Sequence, residues 1–511
     1  MRRNILLITT DQQRFDALGC NGGHVARTPH IDALARRGLN YTQARNQSTV
    51  CMPARATILT GQSIRRHGVT SNGIPLPADA PSIAWLLKDA GYHTALVGKG
   101  HLEPAASSEY FENWSAERGS TGPHRGFDHM ELCGHTGRRS RNLYHYPKWL
   151  AEQHPEFVEG FHEYAVNGSP SNRGGGDSLA PQVAYNPIPQ ELYHTHWTMQ
   201  RTRSWLDTLS ADSDWFCWMS FPDPHHPWDP PQSAARRFDW RDVPLPAGYP
   251  GSPERCRQIL AEKPRHWLEW YEGRARFAFE VPPQFVPASL SADQIREVNA
   301  MVHAKNELID DAVGELMHYI EQRGWSERTD VVFTTDHGEF QGDFGALFKG
   351  PYHVESLMHV PFIWQPAACA NITPAELDTP VGHIDIAPTL CRIAGLPVPD
   401  WMQGRPLTDS LDRAPSVDSR PIITEWYDEW DGNRIELQTI SLDGYVLTAY
   451  GQTNYYDGSE GELYDLRGDP LQWHNLWADP ARRGLRSDLL AALRDNLPQG
   501  REVPLEKVAR V

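Results

Sequence analysis

Within its first hundred residues the chain alternates short apolar runs with helical patterns, and that alternation restricts the fold more than anything else in the sequence. NILLITT at 4–10 reads as a strand, Thr28-Pro29 opens a helix that Gly38 stops, and LNYTQAR at 39–45 reads as the next extended segment. A helix follows Pro53, SIAWLLKDAGY at 82–92 reads as another, and TALVG at 94–98 as a further strand. Such βαβα alternation implies an α/β fold, a large and mostly parallel sheet sandwiched by helices.

Regularity fades twice, over 103–187 and 222–290, where Gly, Ser, His, Pro and Trp dominate. Both tracts read as loop insertions, the places where such scaffolds build substrate sites. Trp218, Trp228 and Trp267 invite an aryl pocket, yet aromatic residues in loops more often pack those loops down. Ile295, Val298, Met301, Val302, Leu308, Ile309, Val313, Leu316, Met317 and Ile320 keep a 3.6-residue rhythm, so a long helix is predicted up to Gly324. DVVFTT at 330–335 and VPFIW at 360–364 read as strands, and DIAPTLCRIAG at 385–395 as a helix closed by Gly395. Beyond Gly404 extended segments such as PIITEW and ELQTISL precede one amphipathic helix near LRSDLLAALRDNL. We therefore expect a large α/β domain over 1–404, with the two tracts as loop insertions, and a smaller C-terminal α+β domain over 405–511.

A formal net charge of −17 argues against nucleic acid or an anionic membrane as partner, because binding to phosphate backbones needs clustered Lys and Arg. It is compatible with a small anionic substrate, since cations within about 4 Å of a bound anion outweigh surface carboxylates screened over roughly 8 Å. The cysteines at 20, 51, 133, 217, 256, 369 and 391 are odd in number and contain no C-x-x-C pair, which suits neither a disulfide framework nor a zinc ribbon. The start, MRRNILLITTDQQR, carries only four consecutive aliphatic residues, too few for a signal peptide, and no apolar run reaches membrane-spanning length. A reducing, cytoplasmic compartment is expected.

Two acidic segments directly follow predicted strands: Asp11-Gln12 after ILLITT, and Asp336-His337-Gly338 after VVFTT. Parallel strands share one carboxyl edge, so residues far apart in sequence can converge there on a ligand. Two carboxylates, an amide oxygen and an imidazole would make a mixed O/N site for one divalent cation. Alone, either segment reads equally well as a helix cap or a surface carboxylate.

STVCMPARATILTG at 48–61 is more particular. Pro53 suits the first turn of a helix, having no N–H to waste, and Gly61 suits its end. Cys51 then lies at the helix N-terminus, where unpaired N–H groups favour an anion. C-x-P-x-R followed by LTG resembles the signature of the type I sulfatases of the alkaline phosphatase superfamily. The resemblance extends along most of the chain, through ILLITTDQQRFDALG, TPHIDALARRGLNY, GYHTALVGKGHL, DPHHPW, VVFTTDHGE, HIDIAPTL, GELYDLRGDP and Asn475-Leu476.

The resemblance implies that Cys51 is oxidised by a formylglycine-generating maturation enzyme. The aldehyde hydrates to a diol; one oxygen attacks sulfur, and the other, on losing its proton, expels sulfate by C–O cleavage. It further implies Asp11, Gln12, Asp336 and His337, with residue 51, as ligands of one divalent ion. Gln12 and His337 look closer to the phosphonate monoester hydrolase branch, and imidazole suits Mn2+ better than Ca2+, which stays open. By the same resemblance Arg55 orients the diol, Lys99 contacts the ester oxygens and His101 removes the second diol proton. His225, preferred over the adjacent His226, protonates the leaving group. Lys349 bridges the leaving-group side and Asn72 makes a polar substrate contact, although SNG is also a good turn.

The expected activity is hydrolysis of sulfate monoesters, arylsulfatase-like. GKGHL at 98–102 favours it, because phosphonate hydrolases lack that lysine and histidine pair; the Asp-Gln and Asp-His ligand pairs favour a phosphonate monoester or phosphodiester hydrolase. A catalytically silent metal-binding protein is the remaining alternative. A two-metal phosphatase would need a second ligand set, which the sequence does not offer. A symmetric homo-oligomer is expected, as for many large enzymes.

Overall fold

Strand β1 (Asn4–Asp11) is buried along its whole length and apolar on both faces. Ile5 and Leu7 pack with Ile58, Leu59 and Leu390 on one side of the sheet, while Leu6 and Ile8 pack with Leu34, Leu206 and Leu316 on the other. Only a strand covered on both faces by helices can bury such a run, which is the condition of a central parallel strand. In the computed structural model, which describes residues 2–104, 111–134, 144–157, 175–278, 281, 285–407 and 420–509, β1 lies at the middle of an eight-stranded sheet. It pairs in parallel with β6 (Trp215–Pro224) and β7 (Thr329–Thr335).

The sheet order is β5-β4-β6-β1-β7-β8-β2-β9. Its other members are β2 (Leu39–Tyr41), β4 (His93–Gly98), β5 (His129–Leu132), β8 (Phe362–Gln365) and β9 (Ala375–Leu377). Among these β8 alone runs against its neighbours, pairing antiparallel with β7 and β2. The helices Pro29–Arg37, Ile83–Asp89, Ala292–Gln322 and Ile386–Ile393 fall where the apolar rhythm places them. The longest is closed at its start by a capping box, Ser291 with Gln294.

Three expectations need correction. LNYTQAR forms two strands rather than one: after β2 the chain leaves the sheet at Thr42, and β3 (Ala44–Arg45) pairs with β10 (Val381–Gly382). The tract 103–187 is not wholly irregular, for it supplies the edge strand β5 and the helix His145–Gln153; 105–110, 135–143 and 158–174 lie outside the described residues. Finally, β6 is absent from the expected elements although it sits beside β1. Its run WFCWMSF is buried on both faces, so it lacks the alternation that marks a half-buried strand. Trp218 therefore belongs to the sheet core, while Trp228 and Trp267 pack within the second tract at 1% exposure each.

The C-terminal domain is an antiparallel meander of β11 (Ile422–Trp430), β12 (Asn433–Leu442), β13 (Tyr445–Tyr450) and β14 (Gly461–Asp465). Leu489 and Leu493 of the helix Arg483–Asn496 cover Ile440, Leu447 and Leu463 on one face. Thr424 Oγ1 donates to Asn46 O at 2.6 Å and Arg65 meets Glu425 at 2.5 Å, which ties the meander to the segments flanking Cys51. The expected junction after Gly404 runs into 408–419, outside the described residues. All seven cysteines are free, and no described helix is long and apolar enough to cross a membrane.

Where β4 ends against β6, Gly98 has φ +102°, and a Cβ there would stand 1.8 Å from the Ser220 carbonyl oxygen. Backbone cannot yield as a side chain does, so strain and overlap add. We expect Gly98→Ala to lose at least about 2 kcal/mol of stability in chemical denaturation; an unchanged midpoint would show that the strand ends separate freely.

Candidate active site

The pairing of Thr10 with Thr335 brings the ends of β1 and β7 level, so Asp11 and Asp336 emerge side by side. Ser220 of β6 pairs with Thr9 on one side and Gly98 on the other, which brings Lys99 to the same edge. Onto this edge points the helix Cys51–Thr60, every residue of which is buried. Its first turn contains Pro53, which has no N–H to satisfy, and Asn72 Oδ1 accepts the Met52 N–H at 3.0 Å. Gly61, at φ 64°, ends the helix with its N–H on Thr57 O.

One turn beyond Cys51, the guanidinium of Arg55 is wholly buried. Nε donates to Asp336 Oδ2 at 2.9 Å, Nη1 to Ser220 Oγ at 2.8 Å and Lys99 O at 2.9 Å, and Nη2 to Asp11 Oδ2 at 3.4 Å. Lys99 Nζ also donates to Asp11 Oδ2. Burial and Asp11 push Asp336 upward, but His337, Arg55 and Lys99 outweigh them and hold it below the usual carboxylate value.

The thiol of Cys51 belongs to this polar cluster, unlike Cys217, which packs among apolar side chains. Sγ lies 3.2 Å from His337 Nε2, 3.5 Å from Lys349 Nζ and 3.8 Å from Asp11 Oδ1. Ligand atoms of Asp11, Cys51, Asp336 and His337 all lie within 4.8 Å of one another, a buried donor set that fits one divalent cation. His337 donates Nδ1–H to Gly338 O at 2.9 Å, which turns the Nε2 lone pair into the cluster. Burial lowers its pKa to about 4, so the imidazole is neutral and able to ligate at neutral pH. Burial, then Asp11, pushes the Cys51 thiol up to about 12, so without a cation beside it the unmodified side chain stays a thiol at neutral pH.

Gln12 sits beside them in left-handed backbone at φ 64°. Its Oε1 accepts from Lys349 Nζ at 2.7 Å and its Nε2 donates to Glu339. Lys349 Nζ also meets His225 Nε2 at 2.9 Å, and the ring of His226 stacks on His225 at 3.9 Å. Nine of the expected residues, Asp11, Gln12, Cys51, Arg55, Lys99, His225, Asp336, His337 and Lys349, thus form one connected network. Asn72 reaches it through the Met52 N–H. His101 stands two residues beyond Lys99, half-buried, in backbone with φ 53° held by its N–H to Glu112 at 3.1 Å.

Sequence reasoning missed four groups around this network. Ser220 carried no signal. Glu339 completes DHGE and was passed over; buried and raised to about 7 by that burial, it orients Gln12 and accepts the Gln341 and Phe348 N–H groups. Glu112, raised by burial and by Glu103 to about 8, accepts from His101 and Leu102. Lys305 interrupts the apolar stripe of the long helix, and that interruption was a readable sign of a buried charge with partners.

The family model described as Sulfatase matches residues 3–396, and one described as N-sulphoglucosamine sulphohydrolase, C-terminal, matches 342–499. The chain is 26% identical over 509 residues to the uncharacterized sulfatase YidJ of Escherichia coli (strain K12), covering 98% of this chain and 88% of that protein. It is 27% identical over 486 residues to an arylsulfatase of Clostridium perfringens (strain 13 / Type A), covering 93% and 90%. The solved structure of phosphonate monoester hydrolase of Agrobacterium radiobacter shares the fold, with a TM-score of 0.77 at 23% identity over 97% of this chain and 96% of that chain.

Removing the Arg55 guanidinium would leave Asp11 and Asp336 buried with fewer partners. We expect Arg55→Met to cost about 3–5 kcal/mol in the chelator-treated protein, and added divalent ion to recover part of it. Thermal unfolding with and without metal checks both statements.

Proposed function

The chain belongs to the sulfatase family, and from that premise we propose that this sulfuric ester hydrolase cleaves sulfate monoesters, arylsulfatase-like, with a nucleophile made from Cys51 and one divalent ion beside it. The observation that carries the reading is the meeting of Cys51, two carboxylates, a neutral imidazole and three buried cations on one sheet edge. An aldehyde at residue 51 supplies, once hydrated, both an attacking oxygen and a second hydroxyl whose deprotonation releases sulfate. Asp11, Gln12, Asp336, His337 and residue 51 would hold a divalent cation, which when bound would supply charge that acidifies the attacking group; the imidazole donor favours Mn2+ over Ca2+.

The protein's own side chains divide the remaining work. Arg55 holds both carboxylates in place and faces the residue 51 side chain. Lys99 binds the ester oxygens and Lys349 bridges the leaving-group side, and both are in place before substrate arrives, so they stabilise the transition state without reorganisation. His101 takes the proton whose loss frees sulfate. His225, against Lys349, gives its proton to the departing oxygen. The substrate is a small anionic ester, and full activity requires the maturation enzyme that converts Cys51.

A second reading, a phosphonate monoester hydrolase, is favoured by Gln12 and His337 among the metal donors and by the neighbour of that name. Purified protein turning over 4-nitrophenyl sulfate and a phenylphosphonate monoester separates the two: sulfate is expected to be the better substrate, and the reverse ranking assigns the second reading. Mass spectrometry of the peptide spanning residue 51 should show an aldehyde or its hydrate in place of the thiol; a thiol in fully active enzyme sinks the proposal. Lys349→Ala should lose roughly 10²–10³ in kcat, and an unchanged kcat would remove Lys349 from the catalytic set.

A further inference from the structure

Lys305 occupies the inward stripe of the helix Ala292–Gln322 and is 1% exposed. Its ammonium donates to the carbonyl oxygens of His225 at 3.0 Å and Pro227 at 2.7 Å, and pairs with Asp223 Oδ1 at 2.9 Å and Asp229 Oδ1 at 3.2 Å. All four acceptors belong to the segment 223–229, which leaves the end of β6 and carries His225 and His226. The same segment is gripped from the helix His194–Leu206: His194 Nε2 lies 2.9 Å from Asp223 Oδ2, and Thr195 Oγ1 donates to that carboxylate. Tyr193 Oη, just before that helix, reaches both Asp223 and Asp229 at 3.4 Å.

A buried ion pair by itself is a weak source of stability, since apolar residues of similar volume hold a core as well. Here the ammonium bonds the backbone on both sides of His226, and the His225 ring carried by that backbone meets His226 O through Nδ1 and stands with Nε2 2.9 Å from Lys349 Nζ. We infer that Lys305 is a positioning residue for leaving-group protonation, fixing the 225–227 backbone so that the His225 imidazole stays within reach of the departing oxygen. The inference rests on the proposed role of His225. It assigns Lys305 no contact with substrate.

The test uses metal-loaded, matured enzyme and a series of aryl sulfates running from 4-nitrophenyl to phenyl, read as kcat/KM, which includes every step up to departure of the phenoxide. A good leaving group needs little protonation and a poor one needs much. Lys305→Gln is expected to lose on the order of 10²-fold on phenyl sulfate, the scale of a 1 Å misplacement, and only about threefold on 4-nitrophenyl sulfate. Asp229→Asn keeps the Lys305–Asp223 pair, should steepen the leaving-group dependence in the same sense, and serves if Lys305→Gln does not fold. His225→Ala run beside them separates the two claims. If it leaves the dependence flat, the role of His225 fails. If it steepens the dependence while the folded Lys305 or Asp229 variant loses rate uniformly across the series, the inference about Lys305 is overturned.

Discussion

One guanidinium joins the ends of four parallel strands. Arg55 reaches Asp336 beyond β7, Asp11 at the end of β1, Ser220 within β6 and the carbonyl of Lys99 beyond β4. A buried arginine is tolerated only where its donors are met, and a buried carboxylate only where its charge is answered. Each group therefore holds the others in place. The planar fork suits this task, because its donors diverge at fixed angles toward several acceptors, which a lysine cannot reproduce.

The same cluster concentrates positive charge at one place within an acidic protein. The chain carries a formal −17, yet Arg55 and Lys99 meet the Asp11 and Asp336 carboxylates directly, and Lys349 adds a third buried cation beside Gln12 and Cys51. Surface acids are screened over roughly 8 Å, whereas the cluster lies in a low dielectric where a few ångströms of separation dominate. Burial also sets the protonation of the donors. His337 is neutral and Asp336 ionised around neutral pH, the states in which each can ligate a cation.

Much of this was legible because certain residue types announce their backbone. Thr28-Pro29, Pro53, Gly61 and Gly395 bracket helices where they stand in the sequence, and the stripe from Ile295 to Ile320 spans a single long helix. What escaped was governed by neighbours distant in the chain. β6 carries apolar residues at five consecutive positions, Trp215 to Met219, because helices cover both faces, so no periodicity betrayed it. β5 became a strand only because the edge of β4 offered it partners. The break within LNYTQAR follows from β3 pairing with β10 rather than continuing along β8.

By itself the sequence determined the alternation that builds a parallel sheet, the Cys51 stretch with its proline and glycine, and the chemistry offered at each strand end, since these depend on covalent structure and on residues within a few turns of each other. Tertiary structure alone decided that β1 lies between β6 and β7, in the register that sets Asp11 beside Asp336. It also decided that Ser220, Glu339, Glu112 and Lys305 lie beside these residues, because a hydrogen bond or ion pair acts only over a few ångströms, and partners such as Arg55 and Ser220, or Gln12 and Glu339, stand far apart along the chain.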